Sequence, residues 1–319
     1  MLVIILPYLL AARVPSHEAT YRDDSDWRRY GPECTYDVLV NMSLSNMDED
    51  ARICSVIAFE LKCRAKGSDT LNCRFSNGRT ARLEDGRGCS NAKRNFAPST
   101  SDRFVDEQPF EIRFNARGIE NLVVSRDIAR WRLDAMRAIV SQLNVGFELG
   151  SGHDRFVAME NSSVGYCEVE VKVSRAGYGG ESGGGGLEIA LEPERADVAP
   201  LSRGSVRIEK VRRPKRCPNR KIYFFGNHRD FSFGSEDIFM DMITSVSRMY
   251  ISRREMNSFT ESTGVMRTSN RPRTMNLHQR IGLSLRNINP ARTPIPEIVN
   301  PASTSLYAYT NLERIPEYK

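Results

Sequence analysis

The run from Phe110 to Val145 reads FEIRFNARGIENLVVSRDIARWRLDAMRAIVSQLNV, and its hydrophobic period changes once along the way. Phe110, Ile112 and Phe114 alternate strictly with Glu111, Arg113 and Asn115. A period of two gives a strand one apolar and one polar face. Ala116-Arg117-Gly118 has turn chemistry, and Ile119 to Val124 is apolar again, so the segment predicts a β-hairpin. From Asp127 to Leu143 the period lengthens. Ile128, Trp131, Ala135, Ile139 and Leu143 recur at helical spacing, Arg130, Asp134, Arg137 and Ser141 form the opposite stripe, and Asp127 is positioned to cap the start. The spacing predicts an amphipathic helix over 127–143.

On both sides of this run the period is two. Tyr36, Val38, Val40, Met42 and Leu44 alternate with polar residues, and Ile53, Ile57, Phe59 and Leu61 resume after the polar stretch from Ser45 to Asp50. Cys167, Val169, Val171 and Val173 alternate with Glu168, Glu170 and Lys172, and runs at 222–225, 238–251, 281–288 and 306–310 also read as extended. The segment 176–186, AGYGGESGGGG, reads as a flexible loop. Pro290, Pro294, Pro296 and Pro301 preclude a central strand between Asn287 and Thr304, with the Pro-rich part near 289–301. Strands of one pattern flank the glycine segment, so it interrupts one domain. These patterns predict a mainly β, antiparallel protein with one amphipathic helix inserted midway.

Composition narrows the class. The chain has 319 residues, of which 40% are hydrophobic and 27% charged, which excludes wholesale disorder and a multispanning helical membrane protein. The net charge is +6 with a sequence pI near 9.0, and only eight of the 46 basic residues are lysine. Guanidinium favours planar anions as partners. The uncharged start MLVIILPYLLAA is too short to span a bilayer and reads as the core of a secretory signal over 1–19, with Ala11, Ala12 and Ala19 as cleavage positions. Seven cysteines without a CxxC pair, and four scattered histidines, offer no zinc spacing and instead fit disulfides in an oxidising compartment. Asn41-Met42-Ser43 and Asn161-Ser162-Ser163 are candidate glycosylation sites of a secreted protein.

Catalytic patterns are sparse. Gly180-Glu181-Ser182-Gly183-Gly184 satisfies GxSxG formally, but a nucleophile elbow needs a buried strand before it and a helix after it. Glu168 and Glu170 fall on the solvent face of a strand. No metal or cofactor is implied, and the expectation is a non-enzyme. One charge cluster stands out. RIEKVRRPKRCPNRK, from Arg207 to Lys221, holds Arg207, Lys210, Arg212, Arg213, Lys215, Arg216, Arg220 and Lys221 against Glu209 alone. A disulfide at Cys217 would display these charges on a rigid base, towards an acidic receptor module, an anionic glycan, an anionic membrane surface or nucleic acid, the last disfavoured by the poverty of aromatics for base stacking. The competing reading is an exposed basic edge strand that blocks aggregation.

The Phe110–Val145 run closely resembles the N-terminal module of insect vitellogenins, members of the large lipid-transfer proteins together with apolipoprotein B and the microsomal triglyceride transfer protein. Other stretches resemble it in the same order: Trp27, Gly31, CTYDV (Cys34 to Val38), ELKCRAKGSDTLNC (Glu60 to Cys73), VGYCEVEV (Val164 to Val171) and RRPKRCPNRKIYFFG (Arg212 to Gly226). The resemblance implies one module over 20–319, a barrel-like β-sheet wrapped around the central helix, with Trp131 and Met136 as the large interior plugs. It implies a Cys167–Cys217 disulfide, and Cys63 and Cys73 look like a cross-hairpin pair. It implies lipid transport and yolk provisioning as the class. It also places recognition of a lipoprotein-receptor-type partner in the basic stretch, on Lys210, Arg212, Arg220 and Lys221, to which the intervening Arg213, Lys215 and Arg216 add. Lipid-carrying members continue for over a thousand residues, so this chain alone is expected to hold little or no lipid. It is expected to be either a reduced paralogue or a fragment whose partners include the rest of its own chain.

Overall fold

The computed structural model describes residues 30–46, 52–67, 69–84, 97–98, 107–115, 118–147, 154–175, 205–225, 238–252, 255–268, 274–308 and 310–312. The expected signal at 1–19, the glycine-rich segment at 176–186 with Ser182, and Cys89 lie outside them.

Three long strands, β1 (Pro32–Asn46), β2 (Arg52–Ala65) and β3 (Thr70–Glu84), form an antiparallel meander, with the short β4 (Ala97–Pro98) beside β3. The hairpin β5 (Phe110–Asn115) and β6 (Gly118–Ser125) precedes helix α1 (Arg130–Val140), which ends in a 3-10 turn at Ser141–Leu143. Then come β7 (Arg155–Ser162), β8 (Gly165–Arg175), β9 (Val206–Arg212) and a 3-10 turn at Pro214–Arg216. The remaining strands are β10 (Asn219–Arg220), β11 (Ile238–Ile251), β12 (Met256–Thr268), β13 (Thr274–Pro290) and β14 (Pro301–Thr304). They build one antiparallel sheet in the order β10-β8-β9-β11-β12-β13-β1-β2-β3-β5-β6-β14, with β7 also on β8. The mainly β architecture expected from the sequence is the one observed.

Both ends of the sheet meet around α1. The segment after β14 reaches the β7–β8 turn, where Ala308 N donates to Ser163 O at 3.1 Å and Tyr307 Oη to Asn161 Oδ1 at 2.6 Å. The inward residues Tyr36, Val38, Val40, Leu61, Ile112, Leu122, Val169, Val171, Ile281 and Leu283 pack with Leu133, Met136, Ile139 and Val140 of the helix in one core. Met136 is an interior plug, whereas Trp131 is only half-buried, with the Arg132 guanidinium over its ring.

Several expectations need correction. The helix starts at Arg130, and Ala129 is its N-cap without a side-chain bond, so Asp127 caps nothing. Of its polar stripe, Arg130 is exposed, whereas Asp134 and Arg137 are buried. The sheet closes over that side as well, and burying a guanidinium there requires partners for its donors. Arg137 finds them in Asp134 Oδ1 at 2.7 Å, Ser305 O at 3.0 Å, Thr310 O at 3.1 Å and the Thr304 hydroxyl. Residues 222–225 and 306–308 are not strands; Tyr223, Phe224, Phe225, Leu306 and Ala308 are apolar because they plug gaps in the core. The proline-rich segment holds no central strand: Pro301 opens β14, which pairs with β6 on one side only, as proline at a sheet margin allows.

Candidate recognition surface

Strand β9 lies between β8 and β11, so the basic stretch does not begin on an edge strand. Alternation along β9 sends Ile208, Lys210 and Arg212 inward and leaves Val211 exposed. Lys210 is 2% and Arg212 5% exposed. These two candidate receptor residues are therefore withdrawn from the surface.

Their charge is met by Glu160 of β7, itself 3% exposed. Lys210 Nζ pairs with Glu160 Oε1 and donates to the carbonyls of Asn144 at 2.7 Å and Val145 at 3.2 Å. Arg212 Nη2 lies 2.8 Å from Glu160 Oε2, and its Nη1 donates to Ser247 Oγ at 2.5 Å. Burial alone pushes the Glu160 carboxyl up, but Arg212 and Lys210 outweigh it and hold the group below its ordinary value. Burial also lowers Lys210, an effect that Glu160 opposes. Asn144 completes the knot: its amide donates to Asn161 O at 2.9 Å, and its Oδ1 accepts from Ile119 N at 3.0 Å. Gly118 sits there with φ +111, where a Cβ would overlap Asn144 Oδ1. The cluster ties the exit of α1 to β6, β7 and β9. Chemically it is a fastening, since Glu160 meets both cations, although Arg212 Nε is buried without a hydrogen-bond partner.

After Arg212 the chain leaves the ladder. Arg213 N still bonds Glu168 O at 3.2 Å, and the Pro214–Arg216 turn leads to Cys217, whose sulfur is bonded to Cys167 of β8. This link closes a 50-residue separation and fixes the turn to the sheet. Arg213, Lys215 and Arg216 are exposed, while Arg220 and Lys221 are half-buried. Arg213 Nη2 contacts Glu170 at 3.2 Å and Arg216 Nη1 contacts Glu168 at 3.0 Å, and Arg220 pairs with Asp241. Lys215 pairs with no acid among the described residues. Glu168 and Glu170 do lie on the outer face of β8, but they hold arginines in place.

The paired Gly165, with φ +112, brings β8 against β10, and a Cβ there would overlap the Asn219 carbonyl oxygen. Cys63 of β2 and Cys73 of β3 are directly opposite and bonded. Cys54 is also disulfide-bonded, and Cys34 is a free, buried thiol. Burial pushes that thiol up to about 12. Of the candidate glycosylation sites, Asn161 is exposed and engaged by Tyr307, whereas Asn41 lines a groove of about 810 Å³ on the outer face of the sheet. That groove has Leu39, Ala58 and Phe259 as its floor, and its Arg248, Arg280 and Arg286 pair with Glu209, Glu261 and with Asp37 and Glu60.

Nothing in the sequence signals the roles of Glu160 and Asn144, and Arg137 falls on the polar stripe of the helix with no sign of its burial. The signal for Lys210 and Arg212 was present, since Ile208 fixes the parity of β9 and places both on its buried face.

The profile of the vitellogenin N-terminal domain matches residues 42–289 of this chain. A solved structure described as lipid–protein interactions in lipovitellin superposes with a TM-score of 0.57 at 11% identity, covering 88% of this chain. The alignment takes in 28% of the lipovitellin chain, so the likeness is one of fold within a much longer molecule. Together with the central helix, the single antiparallel sheet and a profile match across most of the sequence, these findings establish that the chain belongs to the vitellogenin N-terminal domain family.

Proposed function

We propose that the protein is a secreted, non-enzymatic member of the lipid-transport and yolk-provisioning class, and that this module, spanning 20–319 after a signal at 1–19, serves in recognition. The observation that carries the reading is the turn at Pro214–Arg216. It presents Arg213, Lys215 and Arg216 to solvent on a base fixed by the Cys167–Cys217 bond. A pre-positioned basic turn suits the acidic repeats of a lipoprotein-receptor-type partner, because charges that need no ordering lose less entropy on binding. Arg220 and Lys221 flank this contact, and Lys210 and Arg212 support it from beneath.

The described interior is filled by Leu133, Met136, Ile139 and Val140 of α1, which supports a module that recognises without itself enclosing lipid. Lipid carriage, the relation to the lipovitellin structure's subject, then belongs to other parts of such proteins. Glycan or anionic membrane binding is the alternative, since the same exposed basic turn attracts any anionic surface.

The test compares an acidic-repeat receptor ectodomain with heparin beads over a salt series. Capture by the ectodomain beyond that by a cation exchanger of equal charge is expected, and binding should weaken as salt rises. Retention on heparin alone would replace this reading with the polyanion one. Solvent extraction of the purified chain is expected to yield no stoichiometric lipid, and many lipids per chain would refute a recognition-only module.

A further inference from the structure

Cys34, Cys63 and Cys73 occupy one row across three neighbouring strands. Cys34 is the registered partner of Cys63 between β1 and β2, and Cys63 that of Cys73 between β2 and β3. All three face the core, at 3%, 2% and 0% exposure. The bonded pair has its Cα atoms 4.1 Å apart, which marks the close type of antiparallel pair. Pair types alternate from one side of a strand to the other, so Cys34 and Cys63 form the wide type, about 5.5 Å apart. That Cα separation falls inside the roughly 4.4–6.8 Å of disulfides, and the two strands need only draw together locally to bring the Cβ atoms within about 4.5 Å. Cys34 and Cys73 are two strands apart, about 9–10 Å, and beyond reach.

We propose that Cys34 is a built-in nucleophile for the Cys63–Cys73 bond, giving the module a second cross-linked form in which Cys34 is joined to Cys63 and Cys73 is the free thiol. Cys63 is the middle member of the row and the half of the bond directly opposite Cys34, which selects it as the sulfur attacked. In the step, the Cys34 thiol loses its proton to solvent and its thiolate forms a bond to Cys63 Sγ. The Cys63–Cys73 bond breaks, and Cys73 leaves as a thiolate that takes a proton back. One disulfide and one thiol exist before and after, so no oxidant or reductant is consumed. The cross-link moves from β2–β3 to β1–β2 without the strands changing register. In the closed sheet, burial keeps the thiol protonated and the exchange dormant, and water entering beside β1 while its ladder with β2 stays in register starts it.

The experiment uses the full chain, without reductant, at a denaturant concentration below its unfolding transition, followed by iodoacetamide and disulfide mapping by mass spectrometry. The native chain should resist alkylation at Cys34. After partial opening, the alkyl label should appear on Cys73, together with a Cys34–Cys63 linked peptide. The Cys34→Ser variant, compared at the same fraction opened, should show neither product. Label on Cys34 alone with Cys63–Cys73 intact would overturn the proposal. So would a statistical mixture that includes Cys34–Cys73.

Discussion

Lys210 and Arg212 are separated from Arg213, Lys215 and Arg216 by as little as one peptide bond, yet the two groups do opposite things. The first pair points into the protein and is locked onto Glu160, the α1 exit and Ser247. The second group stands on a disulfide-anchored turn in water. Charge type is shared, so the difference comes from strand parity and from where β9 ends. A count of basic residues along a sequence is therefore not a count of surface charges. A buried cation costs several kcal/mol unless it is paired and hydrogen-bonded, whereas an exposed pair contributes about 0–1 kcal/mol.

The largest effect should come from breaking the inner group. Glu160→Gln leaves Lys210 and Arg212 buried without their counter-charge and should destabilise the fold by about 3–5 kcal/mol. Thermal unfolding reads this directly, and a loss under about 1 kcal/mol would show the cluster to be well hydrated. The same group sets an acid limit. Because Glu160 is held below its ordinary value, its contribution is complete above the unfolded carboxyl range near 4.3 and is lost as pH falls through the folded value. Below about pH 5 the wild type should therefore lose stability more steeply than Glu160→Gln.

Cys217→Ser should come next. Releasing a cross-link over a 50-residue separation costs about 2–5 kcal/mol, and it also frees the turn, so stability and recognition should fall together. The smallest stability effect belongs to the outer group. Arg213→Gln, Lys215→Gln and Arg216→Gln together should change stability by no more than about 1 kcal/mol, since only exposed pairs with Glu168 and Glu170 are lost.

The comparison also shows where sequence is legible. The β5–β6 hairpin and the core of α1 were visible because period two and helical period differ sharply over six to fifteen residues. The burial of Arg137 and Asp134 was not, because residues 304–310, which cover them, lie more than 160 positions away. Charge pairing is hidden for the same reason. Glu160, Glu168 and Glu170 meet Lys210, Arg216 and Arg213 across 50, 48 and 43 positions, so local counting saw only the cations. Apolar content alone suggests strands at 222–225 and 306–308, and buried plugs share that content. Lys210 is the instructive case. Its inward direction was available from Ile208, but a lysine in a basic run invites a surface reading until the partner carboxylate is known.

The most direct measurement is binding of the acidic-repeat ectodomain to the Arg213→Gln, Lys215→Gln, Arg216→Gln variant, with its melting curve recorded on the same sample. The account predicts affinity reduced at least about tenfold, or about 1.4 kcal/mol, with a melting temperature within a few degrees of the wild type. Undiminished binding by a folded variant would contradict the assignment of recognition to the outer half of the stretch.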